Sequence, residues 1–197
     1  MTKDFFDHYI EEEQRLLGEV CEAGFAKVIE LFKAAYDNDK QVFVFGNGGS
    51  GSTASHFACD INKGVSYGHD KRFKVICLND NIPTMLAYAN DSTYDDIFVE
   101  QLKNFLNPGD VVFAISGSGN SGNVVRAIEH ANKNKAMTLG FTGFDGGRLG
   151  KAAGLSINIA SEDMQKIEDI HLILTHMIMQ AFCKSLGATG RQDGEKG

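Results

Sequence analysis

The sequence has few of the features that mark membrane proteins or nucleic-acid-binding proteins. No apolar run approaches the roughly 20 residues that a helix needs to cross a bilayer, so no membrane segment is expected. Acidic residues outnumber basic ones, and the formal net charge of -7 gives no general attraction for nucleic acid or anionic lipid. An anionic substrate would therefore need a local binding site.

Paired cysteine motifs are also missing. The four cysteines lie far apart, without the short spacing of a zinc knuckle or a redox motif: Cys21, Cys59, Cys77 and Cys183. We interpret them as free thiols in a reducing cytoplasm. The acidic N-terminal segment MTKDFFDHYIEEEQ does not resemble a signal peptide, which also favours a cytoplasmic location.

The length of 197 residues fits one domain with a sizeable core. Apolar residues at helical spacing over 4–37 predict two helices with a break near 18–24. We interpret 1–38 as a helical arm, which either covers its own sheet or packs on a neighbouring subunit. The main domain is predicted over 39–186. The tail 187–197, rich in glycine and charge, is predicted to be disordered.

The main domain alternates between strand and helix patterns. Apolar, β-prone runs predict strands over 40–45, 74–78, 111–115, 137–142 and 155–159. Helical spacing predicts helices after the first of these strands and over 83–91, 94–105, 123–132 and 164–186. Strand, helix, strand is the pattern of a parallel sheet, so the expected fold is α/β, a doubly wound parallel sheet sandwich with ligands at the carboxyl ends of the strands.

Two loops of small residues follow two of the predicted buried strands. The first is GNGGS at 46–50, and the second is SGSGNS at 116–121. Each precedes a helix, whose free amides and dipole favour an anion such as phosphate. Neither a convincing dinucleotide fingerprint nor a P-loop lysine is present. We predict that the serine loop is the main phosphate site and that Ser50 contributes to it; a plain turn is the alternative.

Histidines and carboxylates recur on two predicted helices. His56 and Asp60 share a helix face because they lie four residues apart. The late helix carries Glu168 and His176 within an apolar stretch. Together these side chains suit either a divalent metal such as zinc or general acid-base chemistry. The alternative is a set of satisfied polar residues between packed helices.

Several motifs, taken in order, resemble the phosphoheptose isomerases of the sugar isomerase, or SIS, fold. The similar segments cover almost the whole chain apart from the tail: GNGGS at 46–50, HFA at 56–58, ND at 90–91, SGSGNS at 116–121, TGFDGG at 142–147 and IEDIHLILTH at 167–176. The resemblance implies a homotetramer with active sites at subunit interfaces. It also implies conversion of sedoheptulose 7-phosphate into D-glycero-D-manno-heptose 7-phosphate for bacterial lipopolysaccharide or another surface heptose.

The resemblance also implies site residues. The catalytic pair would be Asp60 and His176. Zinc would be held by His56, Asp60, Glu168 and His176. The substrate site would draw on residues of both loops and two further carboxylates: Asn47, Gly48, Gly49, Ser50, Asp91, Ser116, Gly117, Ser118, Asn120, Ser121 and Glu168.

Several positions depart from the family pattern. Asp60 stands where glutamate is expected, Glu168 where glutamine is expected, and Gly64 where an arginine is usual; Gly117 replaces a threonine of the serine loop, and Gln165 an acidic residue. These departures leave open an isomerase of a different ketose phosphate. A non-catalytic SIS protein that binds a phosphosugar or another protein is a further alternative. Such a protein, however, would not need the carboxylate and the histidine that this sequence keeps at the two catalytic positions, Asp60 and His176.

Overall fold

The computed structural model of the chain describes residues 2–187. These form an α/β domain with five strands and flanking helices. The strands are β1 (Gln41–Gly46), β2 (Lys74–Cys77), β3 (Val111–Ser116), β4 (Met137–Gly143) and β5 (Leu155–Ile159). The helices are α1 (Thr2–Glu19), α2 (Glu22–Asp37), α3 (Gly48–Cys59), α4 (Ile82–Asp91), α5 (Val99–Phe105), α6 (Gly122–Lys133), α7 (Gly147–Ala152) and α8 (Met164–Leu186). The predicted disorder of the tail concerns residues that, after Gly187, lie outside the described range.

The five strands form one sheet in the order β2-β1-β3-β4-β5, and every neighbouring pair is parallel. This arrangement confirms the predicted doubly wound parallel sheet. The chain leaves β1 toward β2 on one side and returns to β3 on the other side, so the strand order reverses between β1 and β3. Ligands of open α/β sheets bind at such a switch point, and both predicted phosphate loops begin there.

A hydrophobic core lies on each face of the sheet. On one face, Phe113 of β3 stacks edge-on against Phe32 of α2 and Phe57 of α3. On the other face, Phe45 of β1 stacks against Phe98, just before α5, with ring centroids 4.7 Å apart. Strands that are buried on both faces have near-continuous apolar sequences, which explains why β1 and β3 could be predicted from the sequence.

Three local features differ from the sequence-based expectation. The helix predicted over 94–105 is divided into a 3-10 turn at Tyr94–Asp96 and α5 at Val99–Phe105. The short helix α7 was not predicted. Finally, α3 continues into a π-helix at Asp60–Val65, where one residue more per hydrogen-bonded turn shifts the helical phase.

The π-helix covers the free edge of β2. The side-chain amide of Asn62 donates to the backbone carbonyl of Val75 at 2.8 Å. The side-chain oxygen of Asn62 accepts from the backbone amide of Val75 at 3.2 Å. The Ser66 hydroxyl accepts from the amide of Phe73. Edge strands expose unpaired backbone groups through which proteins associate. Here Asn62 of the π-helix pairs both backbone groups of Val75, and Ser66, directly after the π-helix, pairs the amide that precedes β2.

The N-terminal helix α1 packs on α8. Leu16 is buried, and the Tyr9 hydroxyl donates to Asp169 at 2.6 Å, a bond that raises the pKa of Tyr9 to about 12. Four large apolar side chains of α1 nevertheless stay exposed: Phe5, Phe6, Ile10 and Leu17. The arm thus covers its own domain with one face and leaves apolar side chains free on another. No helix within residues 2–187 is long and apolar enough to cross a membrane.

Candidate functional site

A cavity of about 250 Å³ opens at the carboxyl ends of β1 and β3. Its lining comprises both small-residue loops and the start of α8: Asn47, Gly48, Gly49, Ser50, Ser116, Gly117, Ser118, Ser121, Met164 and Glu168. All of these residues except Met164 were predicted as substrate-binding from the sequence. The structure therefore brings most of the predicted phosphate site into one place.

Two helix N-termini meet at this cavity. Helix α3 begins at Gly48, which adopts a left-handed conformation with φ of +53°, and α6 begins directly after Ser121. Neither N-cap side chain, Asn47 or Ser121, bonds to the amides of its own helix. The hydroxyls of Ser116 and Ser121 lie 3.4 Å apart. Free amides, helix dipoles and hydroxyl groups in one cavity are suited to bind a phosphate.

Glu168 places a carboxylate in the same cavity. It lies so close to Gly49 that a Cβ atom at that position would collide with the carboxylate oxygens. A larger residue at position 49 would displace the end of the Glu168 side chain. The carboxylate lies beside the N-terminus of α3, where an anion is favoured, and it would repel a substrate phosphate bound there.

Two predicted substrate residues lie outside this lining. Asp91 is exposed at the end of α4, and its carboxylate accepts from Asn90. Asn120 lines a neighbouring cavity of about 650 Å³ together with Ser118. Its side-chain and backbone oxygens accept from Arg148, which fixes the tip of the serine loop. Direct roles of Asp91 and Asn120 in substrate binding stay predictions.

The second part of the site is a cluster of three side chains. The Nε2 atoms of His56 and His176 lie 2.9 Å apart. The Oδ2 atom of Asp60 is 3.3 Å from Nε2 of His56 and 3.8 Å from Nε2 of His176. The π-helix begins at Asp60, so the carboxylate still shares the α-helical face of His56 before the phase shift. The structure thus joins both predicted catalytic residues to a predicted metal ligand.

This cluster has the donor set and spacing of a metal site. A tetrahedral zinc ion with bonds of about 2.0–2.1 Å holds its ligand atoms roughly 3.3–3.4 Å apart, close to the three distances in the cluster. Two imidazoles and one carboxylate also leave a fourth position for water or substrate, as in catalytic zinc sites. The side chains of His56 and His176 are about half exposed, at 50% and 46%, so a ligand can reach them. The three residues can therefore hold a metal ion.

Glu168, the fourth predicted ligand, is not part of this cluster. Helix α8 runs without interruption through both Glu168 and His176, which lie eight residues apart, so about 12 Å of helix separates them. Glu168 lies beside Gly49, whereas His176 lies beside His56. The structure places Glu168 with the phosphate loops, and its role as a metal ligand stays a prediction.

Helix α8 approaches the π-helix closely at Gly64, in the part of α8 that follows His176. At Gly64, where the family pattern has an arginine, an added Cβ would lie 2.6 Å from the terminal methyl of Met179. The thiol of Cys183 lies 3.7 Å from the carbonyl oxygen of the same glycine. The site therefore has no cationic side chain at this position, and a methionine fills the adjacent space.

His171, one helical turn after Glu168, has no part in the cluster. It is fully buried, and its Nε2 atom lies 3.1 Å from the carbonyl oxygen of Thr142. Burial lowers the pKa of His171 to about 4, so the ring is neutral near pH 7. The neutral ring can donate its Nε2 proton to that carbonyl, which identifies a core residue that joins α8 to β4.

Sequence reasoning missed three side chains that shape the cavity. Asn123 and Tyr94 hydrogen-bond to Asn47, and Met164 contacts the serine loop at Gly117. A tyrosine after the ND pair or an asparagine in the first turn of α6 gives no local signal, because the bonds join distant parts of the chain. Met164 could have been found, since it is the first residue of α8, the helix that carries Glu168.

This fold and this pair of sites define the class of the protein. The SIS domain family matches residues 8–143, and the chain belongs to that family. The resemblance seen in the sequence motifs is thereby confirmed.

Among its relatives are phosphoheptose isomerases. The phosphoheptose isomerase of Helicobacter pylori is 31% identical over 178 residues, which cover 90% of this chain and 91% of the relative. The probable phosphoheptose isomerase of Thermoplasma acidophilum is 36% identical over 151 residues, or 77% of this chain and 82% of the relative. The structure of the Neisseria gonorrhoeae phosphoheptose isomerase shares the fold, with a TM-score of 0.85 at 24% identity over 93% of this chain and 100% of that one. The chain is therefore an isomerase of the SIS family.

Proposed function

We propose that the protein converts D-sedoheptulose 7-phosphate into D-glycero-D-manno-heptose 7-phosphate. One observation carries the proposal: the phosphate cavity and the His56, Asp60 and His176 cluster lie along the same two helices. From Gly49 to His56 and from Glu168 to His176, seven or eight residues of helix separate the two sites by about 10–12 Å. An open-chain phosphosugar can extend between them, with its phosphate in the cavity and its carbonyl end at the cluster. The names of the relatives at 31–36% identity support the same substrate class.

The phosphate end would be held by the serine loop. Ser116, Ser118 and Ser121 supply hydroxyls, and the first turns of α3 and α6 supply amides. The phosphate does not react, so its binding energy serves to orient the carbonyl end. A misplacement of about 1 Å at the reacting end can reduce the rate a hundredfold.

The chemistry would be proton transfer through an enediol. Asp60 removes the proton from C1, next to the ketone, and the electron pair of that C–H bond forms the double bond of the enediol. His176 protonates the oxygen on C2 and accepts the proton from the oxygen on C1. Return of the proton from Asp60 to C2 then yields the aldehyde at C1.

A zinc ion is compatible with this site and would be held by His56, Asp60 and His176. Zinc would supply Lewis-acid polarisation of the substrate oxygens. An Nε2 atom of His176 that binds a metal has no lone pair for a proton, whereas the Asp60 carboxylate keeps a second oxygen free. Proton transfer by His176 therefore applies to a metal-free cluster, and the metal content of the active protein decides between the two roles.

The active form would be a homotetramer with active sites at subunit interfaces. The half-exposed imidazoles of the cluster need further cover to exclude water during the reaction. The exposed apolar side chains of α1, among them Phe6 and Ile10, are suited to bury against another copy. We place the enzyme in the cytoplasm, where its product would serve lipopolysaccharide or another surface heptose.

An isomerase of a different ketose phosphate is the second candidate. Gly64 stands where the family usually has an arginine, and the Glu168 carboxylate adds a negative charge to the anion site beside Gly49. Both features change the charge that the substrate meets.

An NMR assay across ketose phosphates of six to eight carbons, with metal analysis of the purified protein, tests the proposal. We expect conversion of the seven-carbon substrate with the highest kcat/KM. Preference for another chain length would favour the second candidate. Binding of phosphosugars without any conversion would favour a non-catalytic binding protein.

A further inference from the structure

Two amide side chains join the two phosphate loops. The Nδ2 atom of Asn47 donates to Oδ1 of Asn123 at 2.9 Å, and Nδ2 of Asn123 donates to Oδ1 of Asn47, also at 2.9 Å. These residues are 76 positions apart in the chain. Asn123 is 1% exposed and does not line the cavity, whereas Asn47 does. A reciprocal pair of this kind fixes the orientation of both amide groups.

A third side chain completes the network. The Tyr94 hydroxyl donates to Oδ1 of Asn47 at 3.0 Å, so that this oxygen accepts two hydrogen bonds. On the other side of the same loop, Asn79 accepts from the amide of Gly46 at 3.2 Å and donates to its carbonyl at 2.8 Å. The first loop is thus held by side chains that lie outside the cavity lining.

The network has a consequence for the start of α3. Asn47 is the N-cap residue of this helix, and asparagine at an N-cap ordinarily accepts a hydrogen bond from an amide of the first turn. Here Asn47 makes no such bond, because Tyr94 and Asn123 occupy its oxygen. The amides of the first turn of α3 are therefore left without an N-cap partner, at the position where the cavity would receive a phosphate.

We propose that Asn123 and Tyr94 are positioning residues that prevent Asn47 from capping its own helix and so keep the first-turn amides of α3 available to the substrate phosphate. This inference rests on the phosphate site of the proposed function. It adds two residues that act through Asn47 and not by touching the ligand. Without them, the Asn47 oxygen would turn to the amides of Gly49 or Ser50 and compete with the phosphate.

The test measures inorganic phosphate binding by calorimetry in full-length variants. Asn123→Leu keeps the size of the side chain and removes both hydrogen bonds, so we expect about a fivefold to tenfold weaker phosphate affinity. The matched control is Asn132→Leu on the same helix, which removes bonds to Ala152 and Thr138 away from the cavity and should leave the affinity unchanged. Tyr94 is 57% exposed, so Tyr94→Phe should fold normally and weaken binding by about twofold to threefold.

A double variant distinguishes this role from a general loss of structure. In an Asn47→Ala background no side chain can cap α3, so adding Asn123→Leu should change phosphate affinity by less than about twofold. Amide hydrogen exchange over 48–51 should slow in Asn123→Leu without phosphate and return to the wild-type rate in the double variant. Additive losses of affinity, or unchanged exchange in Asn123→Leu, would overturn the inference.

The phosphate probe separates this inference from the isomerase assignment. The expected pattern supports the positioning role whether or not the protein converts a heptulose phosphate. Absence of turnover with this pattern intact would contradict the proposed function alone. Absence of phosphate binding in the wild-type protein would overturn the positioning role together with the phosphate site.

Discussion

The Nε2 atoms of His56 and His176 lie 2.9 Å apart, although 120 residues separate them in the chain. At this distance the two nitrogens can form one hydrogen bond or can bind the same metal ion. The carboxylate of Asp60 lies beside both rings and adds a third ligand atom of negative charge, which favours a bound metal cation. The pair therefore makes zinc affinity the first property to measure.

In titrations with added zinc we expect one ion to bind per chain. We expect His56→Ala to weaken zinc affinity by more than the roughly 10–100-fold loss that removal of an outer-shell partner causes. The physical reason is the loss of one of three protein ligands. Competition titration against a chelator measures the affinity, and His69→Ala is the control because His69 lies outside the cluster. Equal zinc affinity in both variants would place the metal elsewhere.

Glu168→Gln separates two roles for this residue. The carboxylate lies beside the N-terminus of α3, where a phosphate would bind, so removal of its charge should strengthen inorganic phosphate binding about fivefold or more. Zinc affinity should stay within about twofold, because Glu168 is outside the metal cluster. A large loss of zinc affinity with unchanged phosphate binding would instead identify Glu168 as a ligand.

Burial of His171 predicts that the fold weakens in mild acid. The pKa of His171 is lowered to about 4, below its usual 6.5, so the unfolded chain binds the proton more tightly than the folded chain. The contribution of neutral His171 to the free energy of unfolding is present above about pH 6.5 and is lost as the pH falls toward 4. Between pH 7 and pH 5 the free energy of unfolding should fall by about 2 kcal/mol.

Urea unfolding of the wild-type protein and of His171→Leu at both pH values measures this effect. The variant should be less stable at pH 7, since it loses the contact with the Thr142 carbonyl, but should lose less stability on acidification. The same pH dependence in both proteins would show that other groups cause it.

Assembly should depend on the exposed face of α1. Phe6 is 62% exposed on this helix, and Phe6→Glu should shift the protein from a tetramer toward smaller species in light scattering, since it would bury a charge in the interface. Gly18→Glu adds the same charge to the same helix at an open position and is the control. A monomeric wild-type protein, or a tetramer that Phe6→Glu leaves unchanged, would contradict this interface.

The strands and α8 could be predicted because each is one apolar run or one long periodic stretch. The serine loop was also predictable, since strand, small residues and helix follow one another locally. The π-helix after Asp60 was not, because a hydrogen-bond pattern of i to i+5 shifts the phase by one residue and leaves no distinct periodicity. The helix predicted from Tyr94 was divided, although its apolar spacing continues through Phe98 and Leu102 to Phe105.

The separation of Glu168 from the metal cluster could be anticipated in part. The predicted helix over 164–186 includes both residues, and eight residues of continuous helix place them about 12 Å apart. The amide pair of Asn47 and Asn123 could not be predicted. Hydrogen bonds between distant side chains depend on how α6 and the first loop meet across the sheet, which no local pattern encodes.

The most direct test of the account is proton NMR of D-sedoheptulose 7-phosphate conversion in D2O by the wild-type protein and by Asp60→Asn. The proposed enediol mechanism predicts that the wild type forms D-glycero-D-manno-heptose 7-phosphate, with deuterium at C2 in the fraction of turnovers in which the proton on Asp60 exchanges with solvent before it returns. The Asp60→Asn variant should bind the phosphosugar but lose turnover by about a thousandfold or more, since Asn cannot accept the proton. Full turnover in that variant, or no conversion of the heptulose phosphate by the wild type in either its zinc-loaded or its metal-free form, would contradict the account.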